Sequence, residues 1–131
     1  MYKSTLLVFA VVCQSPLAGA EIKKEKLAGQ WHPAHVEYMV HSGSTAYAEP
    51  PTRTDRAFSI HLIGQAAQQL FEQIGPDQKE MCSSERGDRE RRNKGALCQY
   101  SARLDSTSDS HYRCWIGIDL RTGDGQVRTP C

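Results

Sequence analysis

The stretch His111-Tyr112-Arg113-Cys114-Trp115-Ile116-Gly117-Ile118-Asp119-Leu120 constrains the fold more than any other part of the chain. Tyr112, Cys114, Ile116, Ile118 and Leu120 fall on every second residue, with Arg113 and Asp119 between them. That period belongs to a half-buried strand, and the aromatic and β-branched content agrees with it. A cysteine in the buried phase joins the hydrophobic core to the covalent framework. Cys98, Tyr100, Ala102 and Leu104 alternate in the same way. They give a second strand, joined to the first through the polar turn 106–110, so a hairpin is expected from about 96 to 120.

The cysteines are read with the first twenty residues. Lys3 supplies a positive start, Thr5 to Cys13 is a short apolar run, and Ala18-Gly19-Ala20 has the small residues of a cleavage site. A bilayer span needs about 20 apolar residues, so this run reads as a leader rather than an anchor. Val12 precedes Cys13 where a lipid-modified cysteine normally follows a small residue. The expectation is a cleaved signal peptide over 1–20 and one domain over 21–131, periplasmic or secreted, with no transmembrane segment in the mature chain.

Removal of the leader leaves Cys82, Cys98, Cys114 and Cys131, an even number that predicts two disulfides in an exported chain. For Cys98 to face Cys114 the turn must centre on Ser106, which draws Ser108, Asp109 and Ser110 into the ladder. A looser turn makes the two cysteines diagonal, about 7–8 Å apart, at or beyond disulfide reach. This reasoning favours Cys82–Cys98 and Cys114–Cys131.

Upstream, Glu21 to Leu27 is charged. Gly29-Gln30-Trp31 is similar, over those three residues, to the G-x-W of small secreted β-barrels of the lipocalin and bacterial protease-inhibitor kind. The same tryptophan also suits packing over one end of a core. His35 to Val40 reads as a strand, Ser42-Gly43-Ser44 as a turn, and Thr45 to Ala48 as a weak hairpin partner. Pro50-Pro51 ends regular structure. Phe58, Ile60 and Leu62 alternate as another strand. Ala66, Ala67, Leu70, Phe71 and Ile74 then mark one face of a helix that starts after Gly64 and stops at Gly75-Pro76. Residues 77–95 mix Arg86, Arg89, Arg91, Arg92 and Lys94 with Glu80, Glu85, Asp88 and Glu90, which predicts a solvated loop or short surface helix. Strands without alternating β-α-β units imply an α+β fold: a small antiparallel sheet with one main helix packed on one face.

Function is far less legible. The 16 basic and 15 acidic residues nearly balance, and the basic run holds no aromatic platform for bases, so neither nucleic acid nor an anionic membrane is favoured as a partner. There is no G-x-S-x-G, H-E-x-x-H, phosphate-binding glycine loop or C-x-x-C. The leading expectation is a non-catalytic exported binding protein, of the inhibitor or immunity type, directed at an envelope-active enzyme. Trp115 and the turn residues Ser106, Asp109, Arg121 and Asp124 are its candidate partner-binding positions. The alternative is metal handling: His32 and His35 form an H-x-x-H pair suited to Zn²⁺ or Cu²⁺, with His41 as a third ligand. A small envelope hydrolase has least support, because no general acid and base can be named from the sequence.

Overall fold

The computed structural model describes residues 29–79, 82–104 and 110–130. The expected leader, Ser106, Asp109 and Cys131 lie outside them. Contacts divide the chain into residues 1–31 and 32–131, and the second unit holds every described element.

These elements are β1 (Val36–His41), a 3-10 turn (Thr45–Tyr47), β2 (Ala57–Ile63), α1 (Gln65–Gln73), β3 (Arg89–Asn93), β4 (Ala96–Tyr100) and β5 (Tyr112–Asp119). All neighbouring strands are antiparallel, in the order β1-β2-β5-β4-β3, with β5 at the centre. The α+β expectation stands: one five-stranded antiparallel sheet and one helix. Among the described residues the sheet is open, with edges at β1 and β3, rather than a closed barrel. Trp31 is fully exposed.

Residues opposite each other on antiparallel strands point to the same face. The register therefore puts Leu62, Cys114, Cys98 and Arg91 in one row under the helix. Ala67 and Phe71 of α1 are buried against Cys98 and Cys114, with Leu62, Leu70, Ile74, Tyr100 and Tyr112 around them. The Phe71 ring meets Tyr112 edge-on at 5.4 Å. Gly64, with a φ of 70°, turns the chain from β2 into the helix, a conformation that residues with a Cβ rarely adopt.

Cys98 and Cys114 are bonded to each other, with 4.1 Å between their Cα atoms. This overturns the favoured Cys82–Cys98 and Cys114–Cys131 pairing. The regular ladder ends at the Tyr100–Tyr112 pair, two residue pairs beyond the disulfide. Beyond it the Ser101 N–H donates to the His111 carbonyl at 2.9 Å, and His111 Nδ1 lies 2.6 Å from the Ser101 carbonyl. The cysteines face each other although the described ladder stops at Tyr112, short of Ser110.

Two further expectations fail for local reasons. Residues 45–48 form no strand; Thr45–Tyr47 is a 3-10 turn whose Thr45 N–H bonds the Arg128 carbonyl at 3.0 Å. Arg89–Asn93, expected as solvated loop or surface helix, is the edge strand β3. Its charges are accommodated because Asp77 accepts from Arg89 Nε and Arg91 Nε at 2.7 Å each. The guanidinium of Arg91 also lies over the Phe71 ring at 4.4 Å and donates to the Phe71 carbonyl at 2.8 Å. Arg91 thus satisfies a carbonyl near the C-terminal end of α1 while its stem covers the core. No helix among the described residues is long and apolar enough to cross a membrane.

Candidate functional site

The sheet face turned away from α1 carries the site. Register lines Glu37, His61, Trp115 and Leu97 across four strands, with Met39, Ser59 and Gly117 in the next row and His41, Ala57 and Asp119 in the third. Among the described residues no helix covers this face. The chain itself returns over it after β5.

That return is possible because three glycines meet. A Cβ on Gly117 would lie 2.1 Å from the Gln126 carbonyl oxygen, and one on Gly95 would lie 2.8 Å from the Gly125 Cα. The crossing is held by the Gln126 N–H to the Gly117 carbonyl at 2.8 Å and by the Asp119 N–H to the Asp124 carbonyl at 2.9 Å. Arg128 then pins the strap, pairing with Asp55 and with Asp119 at 3.5 Å. The Gly43 N–H, followed by Arg128, holds the Asp55 carboxyl below the ordinary aspartate range. The Arg121 N–H, followed by the Arg121 charge, does the same for Asp119. Thr45 and Thr129 join hydroxyls at 3.3 Å, tying the 3-10 turn to the strap.

Between this strap and β1 the sheet stays open as a cleft of about 310 Å³. Met39, Ser59, His61 and Trp115 form its floor, Glu37 its rim, and Thr45, Ala46, Thr129 and Pro130 its wall. The His61 ring stacks on the Trp115 indole, with centroids 5.1 Å apart and planes 16° from parallel. His61 Nδ1 sits 3.2 Å from a carboxylate oxygen of Glu37. Its Nε2 is buried and has no hydrogen-bond partner among the described residues. The site thus joins an aromatic stack to a carboxylate, the mixture of broad apolar contact and a few polar groups found in ligand pockets.

Beside it, His41 Nε2 lies 2.8 Å from Ser59 Oγ and His41 Nδ1 lies 3.2 Å from the Ser42 carbonyl. The carbonyl accepts the Nδ1 proton, which leaves Nε2 to accept from the serine hydroxyl. This is the pairing of a base with a nucleophile. However, both side chains belong to buried residues. Ser59 also sits mid-strand between β1 and β5, where backbone N–H groups are used in the sheet rather than turned towards a reacting carbonyl. The arrangement satisfies a buried imidazole.

A second, polar hollow of about 190 Å³ lies between Ser83, Asp88, Arg89, Glu90, Gln99, Tyr100 and Ser101. Its carboxylates already serve the chain. Asp88 accepts from Ser83 at 2.6 Å and the Ala102 N–H at 2.8 Å, while Glu90 accepts from the Cys82 N–H at 3.2 Å and Gln99 at 3.1 Å.

Of the expected partner-binding residues, Trp115 is half-buried on the cleft floor. Arg121 and Asp124 lie away from it in the exposed turn after β5, where Arg121 donates to the Thr54 carbonyl at 2.7 Å. Of the expected metal ligands, His32 and His35 are exposed ahead of β1, whereas both nitrogens of buried His41 are engaged with Ser59 and Ser42. Among the described residues no three His, Cys, Asp or Glu side chains converge to hold a metal. Glu37, Met39, Ser59 and His61 were not singled out by sequence reasoning. Their only sequence signal is that each is the polar or off-phase member of an alternating strand. Comparison with protein-family models, characterised proteins and solved structures found no match, so the chemistry of the cleft rests on its own residues.

Proposed function

We propose that this chain is an exported, non-catalytic binding protein of the inhibitor or immunity type, which takes a side chain of an envelope protein into the Trp115–His61 cleft. The observation behind this reading is the open aromatic stack on a disulfide-tied sheet. A floor already ordered before binding loses little entropy when a partner arrives, and tryptophan in a central pocket is a frequent binding anchor. Glu37 at the rim favours a partner side chain that carries a positive charge. In an exported chain the two remaining cysteines, Cys82 and Cys131, would form the second disulfide.

The test is capture of a defined partner from an envelope extract by the tagged mature protein, repeated with Trp115→Ala. Circular dichroism establishes that the variant is folded. A protein retained by the parent chain and lost by the variant supports the reading. Equal retention by both removes the cleft from the argument, and retention of nothing by either removes the binding function.

A further inference from the structure

The two edges of the sheet are built differently. β3 presents Arg89, Glu90, Arg91 and Arg92, the charged kind of edge that discourages pairing with another chain. β1 presents Val36, Tyr38 and Val40 on one face and Met39 on the other, with Glu37 as its one carboxylate. It holds no proline or lysine. Val36, Tyr38 and Val40 lie on the same side of the sheet as α1, yet they remain 46%, 72% and 47% exposed. We infer that β1 is a homodimer edge, pairing antiparallel with β1 of a second copy to give a continuous ten-stranded sheet.

One register of β1 brings all three exposed apolar side chains on its α1 side against apolar partners. A two-fold axis through Tyr38 sets Tyr38 opposite Tyr38, Val36 opposite Val40, and Glu37 opposite Met39. Every pair then shares a face, as antiparallel pairing requires. The three exposed apolar side chains of that row meet apolar side chains of the second copy, and no carboxylate meets a carboxylate. Moving the axis to Glu37 would oppose two glutamates. Overall charge raises no barrier, because the chain carries a formal net charge of only +1. The upstream chain offers the apolar row no match, since Glu21, Lys23 and Glu25 alternate there. This inference does not depend on the cleft, although Glu37 and Met39 belong to both.

Sedimentation equilibrium of the mature protein over a hundred-fold concentration range tests the pairing. The expected result is a mass that rises from one copy towards two. Tyr38→Lys would place two like charges on the axis and raise the dissociation constant by about ten-fold or more, while its unfolding midpoint stays near that of the parent. Tyr38→Phe should dimerise as the parent does. Under mild oxidation Tyr38→Cys should cross-link to itself and Val36→Cys should not, because residue 36 faces residue 40 of the other copy. A parent chain that stays monomeric at the highest concentration overturns the proposal. So does a dimer that Tyr38→Lys leaves intact, or a cross-link that forms at residue 36 in preference to residue 38.

Discussion

Removing the Cys98–Cys114 bond should cost this fold more than any single apolar truncation in its core. The bond joins two strands at the sheet centre, separated by 16 residues of sequence, and both cysteines are fully buried. In the chain-entropy treatment, opening a loop of that length releases about 3 kcal/mol of constraint on the unfolded state. The double variant Cys98→Ala/Cys114→Ala also gives up two sulfurs packed beside Ala67 and Phe71, which adds about 1 kcal/mol. A domain of this size has on the order of 5–15 kcal/mol in total. The melting temperature should therefore fall by about 10–25 °C, and urea unfolding followed by far-ultraviolet circular dichroism should show the same loss. The connectivity has its own test. Trypsin without reductant should release residues 95–103 linked to residues 114–121. Linkage of 95–103 to the peptide 80–86, or a stability loss under about 1 kcal/mol, would refute both the pairing and the reasoning from it.

The strap and helix contacts give three further expectations. Gly117→Ala puts a methyl group 2.1 Å from the Gln126 carbonyl oxygen, so the strap must shift; a loss of about 1–3 kcal/mol should appear in chemical unfolding. Asp55 and Asp119 have folded pKa values below the ordinary aspartate range. Their contribution is therefore complete above about pH 4 and is lost as pH falls through the folded values. Acid titration of strap amides by NMR should show this loss, and Arg128→Gln should weaken it. Arg91→Met removes the donor to the Phe71 carbonyl and one of the two arginine partners of Asp77; a drop of about 1–2 kcal/mol should follow, read as a shifted unfolding midpoint.

The parts of the fold that follow a local period were legible in the sequence. β5 alternates cleanly and places Cys114 in the core with Tyr112 against it, and α1 declares itself through Ala67, Leu70, Phe71 and Ile74 between two glycines. β3 was illegible because Arg89 and Arg91 reach the core by laying guanidinium groups on Phe71. Hydropathy assigns such residues to solvent. The disulfide was misread because a ladder was assumed to continue into its turn. The cleft was hidden for a different reason. His61 meets Glu37 only after β1 and β2 pair across the irregular stretch 42–56, and Trp115 joins them only after β5 inserts next to β2. Of its residues, Trp115 alone was a candidate beforehand, because its place opposite Cys114 depended on nothing beyond the strand itself.

On the proposed function, the two faces of the sheet divide the work of binding. Under α1, a disulfide and a cluster of aromatic side chains fix the strands, so the backbone beneath Trp115 and His61 has little freedom. On the other face, the strap is held by hydrogen bonds and by the ion pairs of Arg128 rather than by a buried apolar cluster. Segments secured in that way open at lower free energy than a packed core. Local opening would move Thr129 and Pro130, the cleft wall, and leave the floor where the disulfide holds it. A partner side chain entering the cleft would therefore meet a fixed aromatic surface and an adjustable rim. Amide exchange along 125–129 should then be faster than along β5, and slower once a partner occupies the cleft.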